Sequence, residues 1–187
     1  MAQTKEPLSG KVLILGISGS IAAYKSADLA RLLMAEGADV HAVMTAGAEK
    51  FITPLTLKSL TRNQVSGNLW ENHPSWQPPH IELADRADAM LVAPASANLL
   101  ARFAHGLADD ELTAMHLAFQ NPLLLAPAMN GKMWHHPATQ SNVSLLRERG
   151  AHFIGPEEGM LACGYEGSGR LLAIEKIVTE TVRLLAP

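Results

Sequence analysis

The sequence of 187 residues holds a single cysteine, Cys163, so no disulfide can form within the chain. That fits a reducing compartment or a reactive thiol. Basic charge is not in excess: 15 Lys and Arg stand against 18 Asp and Glu, a formal net charge of −3. This argues against a nucleic-acid partner and leaves room only for a local site for one phosphate. No apolar run approaches the ~20 residues of a membrane span. The segment Met1 to Gly10 is polar and has no signal-peptide core. A soluble, cytoplasmic protein without a membrane partner is expected. Repeats and low-complexity tracts are absent. None of the 8 histidines pairs with Cys or carboxylates at metal-ligand spacing, so no metal is expected. Apolar residues are plentiful, 48% against 18% charged, which predicts a folded globular chain. Length predicts one domain over 1–187, with 1–9 as a flexible leader.

The apolar pattern alternates between strand and helix. Lys11–Ser18 is a nearly continuous apolar run, as in a parallel strand covered on both faces. A helix over about Ile21–Glu36 follows, with Ala22, Ala23, Leu29, Leu32 and Leu33 on its buried side, and Gly37 stops it. Asp39–Thr45 completes a right-handed βαβ unit. Beyond it come a short helix over Phe51–Leu60, an ordered loop over Asn68–Pro79, and a strand over Ala89–Ala93. Helices over Leu99–His105 and Asp110–Gln120 precede a strand over Leu123–Ala126. A helix over Ala138–Arg149, a strand over Ala151–Ile154, a glycine-rich loop over Glu157–Arg170 and a closing helix over Ile174–Leu185 end the chain. This order predicts a three-layer α/β sandwich, Rossmann-like or flavodoxin-like, around a mainly parallel sheet. Ligands of such sheets bind beyond the carboxyl ends of the strands, which gathers the loops after the first four strands at one edge.

Those loops carry the candidate chemistry. Gly16-Ile-Ser-Gly-Ser20 reads either as a tight turn or as a phosphate cradle at a helix N-terminus; it is neither a Walker loop nor a GxGxxG. Ser96 and Asn98, like Thr45, serve equally as helix caps or as cofactor ligands. Pro127-Ala-Met-Asn-Gly-Lys-Met-Trp134 suggests a shaped pocket wall, although Met129 also suits core filling and Asn130 also suits a cap. Cys163 lies among glycines in Leu161–Arg170, which reads as a mobile flap carrying a thiol acid or as a free surface cysteine. His80 follows Pro78-Pro79 and by itself carries no function.

Taken together, five segments resemble the flavin-containing cysteine decarboxylases. They are Gly19–Lys25, His80–Asp85, Ala93–Asn98, Pro127–Trp134 and Ala162–Arg170, in the family's order and across about residues 11–186. The resemblance implies FMN at a subunit interface of a homotrimer, with four trimers forming a dodecamer in some relatives. It implies a phosphorylated small-molecule substrate, (R)-4'-phospho-N-pantothenoylcysteine, decarboxylated to 4'-phosphopantetheine in coenzyme A biosynthesis. A cysteine side chain offers no sink for the electrons of a departing carboxylate. In the family the flavin provides one by oxidising CH2–SH to a thioaldehyde, then returns the electrons. By matching position, Cys163 is the proton donor of the final reduction, Asn130 binds the substrate carboxylate or amide, and His80 assists the first half-reaction. Gly19, Ser20, Ile21, Thr45, Phe51, Ser96, Ala97, Asn98, Ala128 and Met129 hold FMN. Met133 and Ala162 join Asn130 and Cys163 around the substrate.

Two positions depart from the family pattern: Leu171 and Ala173 stand where many relatives have Met and Glu. Many bacterial relatives also carry a C-terminal ligase domain, so a stand-alone decarboxylase and a piece of a longer protein are both expected forms. The rival readings are a peptidyl-cysteine oxidative decarboxylase, a prenylated-flavin synthase and a non-catalytic regulatory flavoprotein. Cys163 in its Ala-Cys-Gly setting opposes the first, and the His80, Asn130 and Cys163 set opposes the other two.

Overall fold

The structure, a computed structural model, describes residues 6–67, 69 and 78–185. Five strands, β1 (Val12–Ile17), β2 (Asp39–Met44), β3 (Ala89–Ala95), β4 (Leu123–Pro127) and β5 (His152–Phe153), form one sheet. Its order is β2-β1-β3-β4-β5 and every pairing is parallel. The helices are α1 (Ser26–Ala35), α2 (Pro54–Thr61), α3 (Pro79–Arg86), α4 (Ala97–His105), α5 (Glu111–Ala118), α6 (Gly131–Trp134), α7 (Pro137–Glu148) and α8 (Ile174–Leu185). The flavodoxin-like order leaves one topological switch point, between β1 and β3.

Alternation along the strands builds two cores. Leu13, Leu15 and Ile17 of β1 face one side with Leu29 and Leu33 of α1, Leu57 of α2 and Ile177 of α8. Ile14 faces the other, with Ala84 of α3, Leu99, Leu100 and Phe103 of α4, Leu112 of α5 and Val143 of α7. Gly16 belongs to this second face, where a Cβ would stand 2.9 Å from a Leu112 methyl. Its missing side chain lets α5 approach the central strand.

Several boundaries differ from the pattern-based expectation, each for a local reason. The first helix opens as a 3-10 turn over Ile21–Lys25 before α1. Phe51 stays outside α2, which starts at Pro54 behind Thr53, because proline at the first helical position needs no amide partner. The same chemistry at Pro79 starts α3 where a loop was expected; residues 68 and 70–77 of that loop lie outside the described residues. Glu157–Arg170 is a hairpin, β6 (Glu157–Met160) paired antiparallel with β7 (Glu166–Arg170), where a loop was expected. Leu8, expected in a leader, is fully buried, and its N–H donates to Glu36 O at 2.8 Å. Among the described residues no helix is long and apolar enough to cross a membrane.

One buried group makes the fold acid-sensitive. His116 of α5 stacks on Phe103, ring centroids 3.8 Å apart and 8° from parallel. Its Nδ1 has no partner among the described residues. Burial, helped by the nearby Arg149 charge, lowers its pKa from 6.5 to about 4. The folded chain therefore prefers the neutral ring. Its contribution is full above pH ~6.5 and is lost as pH falls through that value toward ~4, on the order of 3 kcal/mol. In His116→Phe, denaturant unfolding should show a shallower stability loss between pH 7 and pH 4 than in the parent. An equal loss in both assigns the acid sensitivity elsewhere.

Candidate active site

Serines fix the two loops of the switch point. Ser18, buried at the end of β1, donates from Oγ to Pro94 O at 2.8 Å and accepts the Ser96 N–H at 2.8 Å. Ser26 Oγ donates to Ala93 O at 2.8 Å. All three bonds tie the segment after β1 to the end of β3. Ser96 then caps α4, its Oγ accepting the Leu99 N–H at 3.3 Å. The Ser20 side chain caps the 3-10 turn through the Ala22 N–H at 3.3 Å. Gly19 meets Gly47, the loop after β2: a Cβ on Gly19 would lie 3.1 Å from Gly47 C. Two glycines thus keep two loops close with open backbone.

These loops enclose a cavity of about 240 Å³ lined by Ser18, Gly19, Thr45, Gly47, Ser96, Asn98, Arg102 and Asp110, among others. Of the sequence-derived cofactor residues, Gly19, Thr45, Ser96 and Asn98 meet here. Ser20, Ile21, Phe51, Ala97, Ala128 and Met129 are not on its wall. Ile21 and Phe51 are exposed and Ala128 is buried at the end of β4. Ser18 lay inside the segment read as a turn or phosphate cradle; sequence reading missed Gly47, Arg102 and Asp110. Asp110 had a legible signal, the Asp-x-x-Thr spacing of a reciprocal cap: its Oδ1 accepts the Thr113 N–H at 2.9 Å.

A second cavity, about 700 Å³, lies between α6 and the hairpin; its walls include Lys132, His135, Glu158, Tyr165, Glu166 and Ser168. Asn130 and Cys163 are not on its wall but neighbour its lining residues Gly131 and Tyr165 along the chain; 33 positions apart in sequence, they are in contact, Asn130 Nδ2 donating to Cys163 Sγ at 3.3 Å. Asn130 also caps α6, its Oδ1 accepting the Lys132 N–H at 2.8 Å, which fixes which way the amide faces. Cys163 sits at the hairpin tip, a turn closed by Leu161 N–H to Tyr165 O at 2.9 Å, and is exposed. The hairpin is docked by Met129 N–H to Gly169 O at 2.9 Å. Met133 and Ala162 are exposed on the same two elements.

His80 opens α3, which leads into β3, so it lies at the sheet edge that carries the switch point. It is on the wall of neither cavity. The structure therefore joins Asn130 to Cys163 and leaves His80 apart within one chain.

Comparison with known proteins agrees with this geometry. The chain is 46% identical over 172 residues to the coenzyme A biosynthesis bifunctional protein CoaBC of Haemophilus influenzae, covering 92% of this chain and 43% of that one. The chain thus spans about half the length of the bifunctional relatives it matches. It is 46% identical over 170 residues to a Streptococcus mutans protein named "Probable phosphopantothenoylcysteine decarboxylase", covering 90% of this chain and 95% of that one. Among solved structures, a phosphopantothenoylcysteine decarboxylase with its cysteine changed to serine, complexed with pantothenoylaminoethenethiol, superposes with a TM-score of 0.84 at 36% identity, covering 93% and 97% of the two chains. The FMN-dependent cysteine decarboxylase SpaF superposes with a TM-score of 0.83 at 33% identity, covering 95% and 98%. A family model described as Flavoprotein matches residues 1–186, and with the two-loop cradle at the β1–β3 switch point, the chain belongs to the flavoprotein family.

Proposed function

We propose that this chain is an FMN-dependent phosphopantothenoylcysteine decarboxylase, converting (R)-4'-phospho-N-pantothenoylcysteine to 4'-phosphopantetheine and carbon dioxide in cytoplasmic coenzyme A biosynthesis. The carrying observation is the Asn130–Cys163 contact, a carboxamide and a thiol 3.3 Å apart beside a cavity of about 700 Å³.

The residues at the switch point fit FMN. Gly19 and Gly47 pack backbone against backbone on the cavity wall, where side chains would push the two loops apart, and the start of α4 presents the helix N-terminal N–H groups not taken by the Ser96 cap. In this reading Gly19, Thr45, Gly47, Ser96, Ala97 and Asn98, with Ala128 and Met129 at the end of β4, would hold FMN. Bound FMN supplies the two-electron acceptor that activates the carbon bearing the thiol.

The protein's own groups do the rest. Asn130, fixed by its cap, binds the substrate carboxylate or amide. Cys163 delivers the last proton, and its hairpin closes the site against water. Replacing Asn130 by Asp removes the donor and sets a negative charge against the substrate carboxylate. Decarboxylation should fall by about a hundredfold to a thousandfold while the protein stays yellow; stopped-flow carbon dioxide release measures it. Activity within threefold of the parent removes Asn130 from the site.

A homo-oligomer completes the arrangement. Ile21, Tyr24, Phe51 and Leu55 are exposed on the segments that follow the two cradle loops. A homotrimer, the unit of a dodecamer, covers such a surface and brings His80 of one copy to the site of the next, where it assists the first half-reaction.

The deciding experiment mixes purified protein with phosphopantothenoylcysteine and reads product mass beside the visible spectrum. A flavin spectrum with 4'-phosphopantetheine as product supports the proposal. A flavin spectrum with intact substrate overturns it in favour of a peptide-directed or regulatory flavoprotein.

A further inference from the structure

We infer that Arg102 is the residue through which the cofactor pocket reads the phosphate of FMN, and that Asp109 and Asp110 position it for that task. The inference rests on the flavin reading above. The switch-point cavity, about 240 Å³, is smaller than the ~300 Å³ at which small-molecule sites begin, so it takes only part of FMN. Beside Ala46 and Leu99 its walls are glycines, hydroxyls, an amide and an ion pair, a set rich in groups that suit the ribityl phosphate. Arg102 is the single cation among its lining residues.

Three features give Arg102 a purpose there. It follows Asn98 by one turn of α4, and helical side chains lean toward the N-terminus, so Arg102 reaches toward the free N–H groups behind Ser96. Its guanidinium is locked. Nε donates to Asp109 Oδ1 at 2.9 Å, NH1 to Asp110 Oδ2 at 2.7 Å, and NH2 to Thr113 Oγ1 at 3.4 Å and to Asp109. One NH1 hydrogen is left without a partner among the described residues, on the group that borders the cavity. Asp110 is itself locked, since its Oδ1 also accepts from Thr113 Oγ1 at 2.8 Å.

The pairing makes the idea testable at both partners. Two carboxylates and one guanidinium leave the cluster net negative, so Arg102 is what makes it tolerable to a phosphate dianion. Arg102→Met should weaken FMN by about tenfold to a hundredfold, the scale of one charge-assisted hydrogen bond. Riboflavin, which has no phosphate, should bind that variant within about twofold of the parent, since the lost contact is to phosphate alone. Asp110→Asn keeps the capping oxygen but sets an amide NH2 against Arg102 NH1 in place of the accepting Oδ2, so the guanidinium loses its brace, FMN should bind less tightly and riboflavin equally.

Affinities come from quenching of flavin fluorescence on titration of the flavin-free full chain, with circular dichroism to confirm folding. If FMN and riboflavin weaken together in Arg102→Met, the arginine is only a brace between α4 and α5, and the inference falls. If Asp110→Asn leaves FMN affinity unchanged, Asp110 does not position the arginine and that part of the inference falls, an arm that decides even should Arg102→Met fail to fold. A parent chain that binds neither flavin overturns the flavin reading itself, a result distinct from loss of the phosphate preference alone.

Discussion

In Cys163→Ser, carbon dioxide is still released but the saturated thiol product falls by about a hundredfold to ten-thousandfold, and an oxidised ene-thiol accumulates in its place. The reason is the order of events that the chemistry requires. Loss of the carboxylate needs an electron sink at the neighbouring carbon, and a group on the hairpin has no part in that. Return of the electrons needs a proton at the same time and place, and Cys163 is the acid on the described part of the hairpin tip that Asn130 touches. A thiol is a stronger acid than a serine hydroxyl of the same shape and gives up its proton far more readily. Serine preserves the hydrogen bond from Asn130 and much of the volume, so the substitution tests acidity and not packing. Mass spectrometry separates the two products by the two hydrogens that distinguish them. Saturated product formed at the parent rate removes the proton-donor role from Cys163 while leaving Asn130 in place.

How much of this was legible beforehand divides along physical lines. The parallel strands were readable because each is buried on both faces and so apolar throughout, as in Leu13, Ile14 and Leu15. The strand order was not, since nothing local in β1 states that β3 is its second neighbour. Alternation gave the fold class, and the switch point followed only from the sheet. The hairpin was hidden because its strands are built from Glu157-Glu-Gly-Met160 and Glu166-Gly-Ser-Gly-Arg170, poor strand formers held by pairing and by docking on the segment after β4. Gly19, Ser96 and Asn98 were found from their place at strand ends. Arg102 was not, because a cation one turn inside a helix looks like an ordinary solvated side chain until Asp109 and Asp110 are seen to hold it. The Asn130–Cys163 contact bridges two loops that only the tertiary fold brings together.

The docking of that hairpin leads to the second large effect. Gly169→Ala should lower kcat by about a hundredfold, the cost of misplacing a catalytic group by an ångström, with most of the bound flavin retained. Gly169 has φ +118, a backbone that side chains rarely adopt. A Cβ there would fall inside the contact radius of the Met129 carbonyl oxygen. The N–H of the same Met129 donates to Gly169 O at 2.9 Å, so the clash and the docking bond share one residue, the immediate neighbour of Asn130. The adjacent contact is as tight, since a Cβ on Gly131 would lie 2.7 Å from Ser168 O. Alanine at position 169 therefore pushes β7 off the Asn130 segment and carries Cys163 away from its partner. Gly19, Thr45, Ser96 and Asn98, proposed to hold FMN, line the switch-point cavity and lie outside this junction, so most of the flavin content should hold, Met129 being the one proposed FMN contact that the clash touches. Gly164→Ala is the matched control. That glycine also has positive φ, +87, but nothing lies within 4 Å of its Cβ position, leaving only the intrinsic backbone cost of about 1–2 kcal/mol in an open turn. Limited proteolysis at the hairpin should speed up in Gly169→Ala and much less in Gly164→Ala, with the loss of kcat following the same order. Equal kcat in the two variants would show that the hairpin reaches its working position without the Met129–Gly169 junction, and the positive φ at 169 would then concern stability alone.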